Sequence, residues 1–170
     1  MKVVDKIVQG IEAISVGVGK TACWLIVILM LLTTFEVTMR YVFSKPTIWG
    51  YETSLMLGGS ILLMLAFVHQ RDANIRVEIL YERFSTRRRA LINVIGTVIF
   101  AYTCFAYVTI GAYQYMIAAF LRNEKMAESF WFPPAAPFRT VIFVALCLAI
   151  LQFTASLIRD LRTVIKGEPL

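Results

Sequence analysis

The chain has 170 residues, 59% of them apolar and 16% charged, with a formal net charge of +6. A mean hydropathy of +0.72 excludes an ordinary soluble domain, in which about half the residues are apolar and a quarter charged, and the length leaves no room for a second core. The basic residues fall between apolar runs, not on one soluble face, which excludes a nucleic-acid partner and assigns them to membrane topology.

Residues 2–19 come first. Val4, Ile7, Ile11, Ile14 and Val18 recur at helical spacing, while Lys2, Asp5, Lys6, Gln9 and Glu12 occupy the other faces. That pattern predicts an amphipathic helix lying along the membrane surface. It is not a signal peptide: Asp5 and Glu12 precede the apolar run, the run is too long, and no A-x-A follows it. Thr21 to Phe43 is then long and apolar enough for a first span, since a helix needs roughly 20 such residues to cross about 30 Å of hydrocarbon.

Glu36 and Arg40 lie near the end of that span. Glu36 stands about 16 residues past Lys20, roughly 24 Å along a helix, which puts it near the outer boundary and not at the midplane. Arg40, one turn on, can pair with it. The connection "SKPTIWGYE" follows, and Thr53 to Gln70 forms a shorter second span. If that helix reaches back through Pro46, a residue tolerated in a first turn, Trp49 and Glu52 share a face. Ser54 and Gly58 continue that side, with Gly59 and Ser60 beside it. Small residues let helix backbones approach closely in lipid, so Glu36, Arg40, Trp49, Glu52, Ser54 and Gly58 are the candidate subunit interface.

Within 75–89, Val77, Leu80, Tyr81 and Phe84 repeat the amphipathic pattern as a short second surface helix. Arg83, Arg87, Arg88 and Arg89 form a basic cluster there, expected to meet anionic lipid headgroups. Ala90 to Leu121 is the third span, longer than a bilayer requires, and so expected to tilt or protrude. The next connection carries Glu124, Lys125 and Glu128, candidate charges for docking a soluble partner, and Ala136 to Ile158 is the fourth span. Trp24, Trp49, Tyr51 and Trp131 sit near span ends, where amphipathic rings prefer the headgroup level.

The fold class is therefore all-α integral membrane: a single domain over residues 1–170 with four transmembrane helices. Lys and Arg concentrate before the first span, between the second and third, and after the fourth. This bias predicts both termini in the cytoplasm.

Catalytic chemistry is not legible. His69 is the sole histidine, which argues against a haem-binding His pair and gives no specific Ser-His-Asp set. Cys23, Cys104 and Cys147 are odd in number and none forms a C-x-x-C, so neither disulfide nor metal site is expected. No cofactor is expected either. An intramembrane carboxylate is a functional candidate by default, and Glu36 could serve a stand-alone proton-coupled four-helix exporter. Its depth, its neighbour Arg40, and the absence of the interrupted helices that build midplane sites favour a helix–helix or subunit contact.

"RYVFSKPTIWGYE", "ANIRVEILYERFSTRRR" and "FWFPPAAP" together resemble the DctQ-like small membrane subunit of TRAP (tripartite ATP-independent periplasmic) transporters, across nearly the whole chain. The first motif is the most specific, with Arg40-Tyr41, a Pro-containing turn, and Trp49 and Glu52 at the family spacing. The second departs from the usual pattern, with Asn74 where His is frequent and Glu78 where Asp is. The resemblance implies a non-catalytic subunit of an inner-membrane importer of organic acids, with four spans and cytoplasmic termini. It implies two protein partners: a large membrane subunit of about a dozen helices, which holds substrate and sodium, and a periplasmic substrate-binding protein. The small subunit would scaffold the first and help dock the second.

Overall fold

The structure, a computed structural model, describes residues 2–71, 86–127 and 130–166. Among these, four helices are long and apolar enough to cross a membrane. Helix α1 is Lys2–Tyr41. Helix α2 runs Gly50–Gln70 and tightens to a 3₁₀ turn over Ile61–Met64. Helix α3 comprises Thr86–Gly96, a π-helical stretch Thr97–Tyr102, and Thr103–Arg122. Helix α4 is Ala135–Lys166. The tightening in α2 follows Gly58-Gly59-Ser60, two weak helix formers and a serine whose hydroxyl bonds the Met56 carbonyl at 2.7 Å; such back-bonding bends helices.

The four form two antiparallel hairpins joined through α4, which packs on the other three, whereas α3 packs on α4. Gly19 of α1 lies against Phe67 of α2. Gly59 of α2 lies against Phe138 of α4, and His69 meets Phe153 edge-on at 4.6 Å, so α2 and α4 run parallel. On the other flank Tyr102 and Thr154 share a 2.6 Å hydrogen bond and Phe105 packs on Phe153 at 4.8 Å. The seams are built from small residues: Ala22, Ala66, Ala145, Ala149 and Ala155 are all buried. In lipid, helices associate by close backbone approach instead of by burying large apolar side chains. The large apolar side chains instead point outward, and none of the central stretch of α3 is buried within the chain.

One expectation is corrected. Residues 2–19 are not set off as a separate surface helix: α1 passes through the junction near residue 20 as one 40-residue helix, about 60 Å long. The reason lies in α4, which at 32 residues, about 48 Å, also outruns the bilayer and gives α1 something to pack on. Arg159 pairs with Glu12 at 3.0 Å and Gln152 accepts from Ser15 at 2.8 Å. The stripe that packs is thus Val8, Ser15, Gly19 and Ala22, while Ile7 and Ile14 of the predicted apolar face stay exposed. Residues 75–85 of the second predicted surface helix, Arg83 among them, lie outside the described residues, as does the side chain of Arg87, whereas 86–89 open α3. Arg88 is exposed and Arg89 half-buried where α3 begins.

Candidate functional site

The predicted interface residues gather where α1 turns into α2. The turn reverses at Ser44, which adopts a left-handed φ of 52°. Contrary to expectation, α2 does not reach back through Pro46; it begins at Gly50 with Trp49 as its N-cap. The connection is held instead by Glu36. Its Oε2 accepts from the Thr47 hydroxyl and from the Thr47 backbone N–H at 3.4 Å. Its Oε1 accepts from Arg40 Nη2 at 3.0 Å.

A Cβ at position 50 would come within 2.5 Å of Thr47 Oγ1 and 2.6 Å of Glu36 Oε2, so a side chain there would force those two groups to shift. Trp49 stacks on Phe35, centroids 6.3 Å apart and planes 17° apart. Glu52 is fully buried in the first turn of α2, where the helix dipole favours a negative charge. Arg40, with 53% of its side chain exposed, covers the other side of Glu36, which is 12% exposed.

The small-residue side of α2 divides. Ser54 bonds back to the Gly50 carbonyl at 2.8 Å. Gly59 is packed by Phe138, whose Cζ would lie 2.5 Å from an added Cβ, whereas a Cβ on Gly58 would meet nothing within 4 Å. The structure therefore brings Glu36, Arg40, Trp49 and Glu52 together at one helix turn and leaves Gly58 facing open space.

The docking candidates sit at the end of the α3–α4 hairpin. Asn123 ends α3 in the left-handed conformation, a role asparagine tolerates. Lys125 then pairs with Pro134 as an isolated antiparallel bridge, closed by Met126 N–H to Pro133 O at 2.8 Å and Ala135 N–H to Glu124 O at 3.0 Å. Glu124 is committed internally. Its Oε2 accepts from Arg139 Nη1, and its Oε1 lies 3.9 Å from Arg122. Lys125 is exposed and Glu128 lies outside the described residues. Beyond the bridge, Trp131, Phe132 and Pro133 fold back against Met56 and Ser60 of α2, around a 520 Å³ cavity.

Sequence reasoning missed Thr47, Phe35, Gly50 and Arg139. Each acts on a residue 11 to 15 positions away or across a turn, beyond the reach of helical periodicity. The glycine in "IWGYE" was the one visible signal.

Residues 29–163 match the family model described as Tripartite ATP-independent periplasmic transporters, DctQ component. No curated protein and no solved structure matches the chain.

Proposed function

The chain belongs to the DctQ component family of tripartite ATP-independent periplasmic transporters, a multi-pass inner-membrane subunit of such a complex, and from that premise we propose that it is a static scaffold for the large membrane subunit. In this reading both termini and the 72–85 connection face the cytoplasm. The turn 42–49 and the connection 123–134 face the periplasm, where the latter helps dock the solute-binding protein. The cargo is an organic acid, driven by a sodium gradient, and both are handled on the large subunit.

The observation that supports this most is the setting of Glu36. A carboxylate that carries protons or cargo needs a changeable environment. Here the group is held by Thr47 and Arg40 and wedged against Gly50. That favours a structural role over the stand-alone exporter.

The scaffold surface on this reading is the outer half of α1 and α2, where Trp49 and Tyr51 stay partly exposed around the buried Glu52. Trp49→Ala or Glu52→Ala is expected to weaken copurification of the two membrane subunits. Wild-type copurification and uptake in both variants would overturn the interface. Reconstitution of this chain alone in liposomes, with no proton-driven flux, separates the scaffold from the exporter.

A further inference from the structure

A second cavity, of 530 Å³, opens at the Arg122 end of the α3–α4 hairpin, and no residue of the α1–α2 turn lines it. We propose that it holds one anionic phospholipid, taking the glycerophosphate and the first methylenes of an acyl chain.

Three observations carry this. First, the lining is amphipathic. Ala112 of α3 and Phe138 and Ile142 of α4 supply apolar wall, and Lys125 and Arg139 supply cations. A free anion has no use for the apolar part, and an apolar helix has none for the cations.

Second, among the described residues the cations here outnumber the carboxylates. Arg122, Lys125 and Arg139 surround one described carboxylate, Glu124. Arg139 spends Nη1 on Glu124 and on the Tyr115 carbonyl, the latter at 3.0 Å. Its Nε and Nη2 donate to none of the described residues, and neither does the Lys125 ammonium. A guanidinium and an ammonium so placed suit a phosphodiester.

Third, the wall is fixed before any ligand arrives. The Lys125–Pro134 bridge and its flanking backbone bonds hold the loop, and Arg139 lies over the Tyr115 ring at 5.5 Å. The site closes the end of two spanning helices, the level at which lipid headgroups lie.

The test uses the full chain, purified in mild detergent and exchanged into mixed micelles of phosphatidylglycerol and phosphatidylcholine, with bound lipid counted by native mass spectrometry. One phosphatidylglycerol is expected to be retained in preference to phosphatidylcholine. Lys125→Gln, at an exposed position, should lower that preference about fivefold, the effect of one basic residue near a membrane phosphate. Ala112→Phe fills the apolar wall without altering charge and should abolish retention.

Unchanged retention in Lys125→Gln overturns the proposal, as does equal retention of the two lipids by the wild type. So does displacement of the lipid by an equal concentration of glycerol phosphate, which would mark a site for free anions. Should Lys125→Gln leave lipid bound but weaken capture of the periplasmic binding protein, Lys125 belongs to protein docking and the lipid assignment fails. None of these readings depends on the large subunit, so the scaffold role stands or falls separately.

Discussion

Glu36 is held from two sides by unequal partners. Arg40 is more than half exposed, and an ion pair of that kind contributes little. Thr47 is the stronger claim, because its N–H and hydroxyl would lose their acceptor on the inner side of the turn. A glutamine at 36 still offers a carbonyl oxygen to Thr47. Glu36→Gln is therefore expected to cost less than about 1 kcal/mol, and Glu36→Leu about 1–3 kcal/mol for the donors left unmet; thermal unfolding of the purified chain would measure both. Uptake by the intact complex should survive Glu36→Gln, whereas a proton-carrying role requires its loss. Glycines 50 and 10 supply a matched pair. Gly50→Ala drives a Cβ into the Glu36 carboxylate, while a Cβ at Gly10 of α1 meets nothing within 4 Å. The first should destabilise by about 1–3 kcal/mol and the second should stabilise by up to about 1 kcal/mol, read as melting shifts of opposite sign.

At the scale of the helix, α2 carries two neighbouring glycines with opposite duties. Gly59 is where Phe138 of α4 reaches the α2 backbone, and Gly58 looks outward. Gly59→Leu is expected to lower the stability of the chain by itself, because the Phe138 ring cannot retreat without opening the α2–α4 seam. Gly58→Leu should leave the isolated chain folded and instead weaken copurification with the large subunit. Equal effects of both on the isolated chain would remove Gly58 from the interface. The N-terminal part of α1 and the C-terminal part of α4 behave as one unit, tied by Glu12–Arg159 and Ser15–Gln152. Ser15→Ala should cost about 1 kcal/mol, since Gln152 is fully buried and an orphaned polar group is expensive. Adding Gln152→Leu should recover most of that loss, because an apolar pair of similar shape restores the packing without the polar demand; thermal melts of the single and double variants decide it.

For the whole molecule, the described residues form four helices packed around α4. α4 binds three neighbours, α3 hangs on its outer flank, and large apolar side chains such as Phe100, Tyr107 and Leu121 face outward. Such a surface is stable only in lipid or against another membrane protein. The basic-residue bias sets the expected orientation. In intact cells, a single cysteine at Phe130, 88% exposed, should react with an impermeant maleimide. One at Arg71 should react only after permeabilisation. The reverse pattern would invert the topology and with it the assignment of a periplasmic docking face.

Sequence alone determined the number of spans and the all-helical class, because both depend on sums over contiguous residues, apolar length and helical period; the family came instead from the resemblance carried by three short motifs. The sequence also marked Glu36, Arg40, Trp49 and Glu52 as a group, since charge beside a membrane helix is rare enough to stand out. Only the tertiary structure decided which donors Glu36 takes, that Gly50 sits against Glu36 and Thr47, which of Gly58 and Gly59 is packed, that Glu124 closes on Arg139, and that α1 is a single helix. Periodicity says that a face is apolar or small but not what lies opposite it. Ile7 and Ile14 read as an apolar face toward the membrane, and they are exposed; that Ser15 would instead turn toward Gln152 was not legible, because its partner lies 137 residues away.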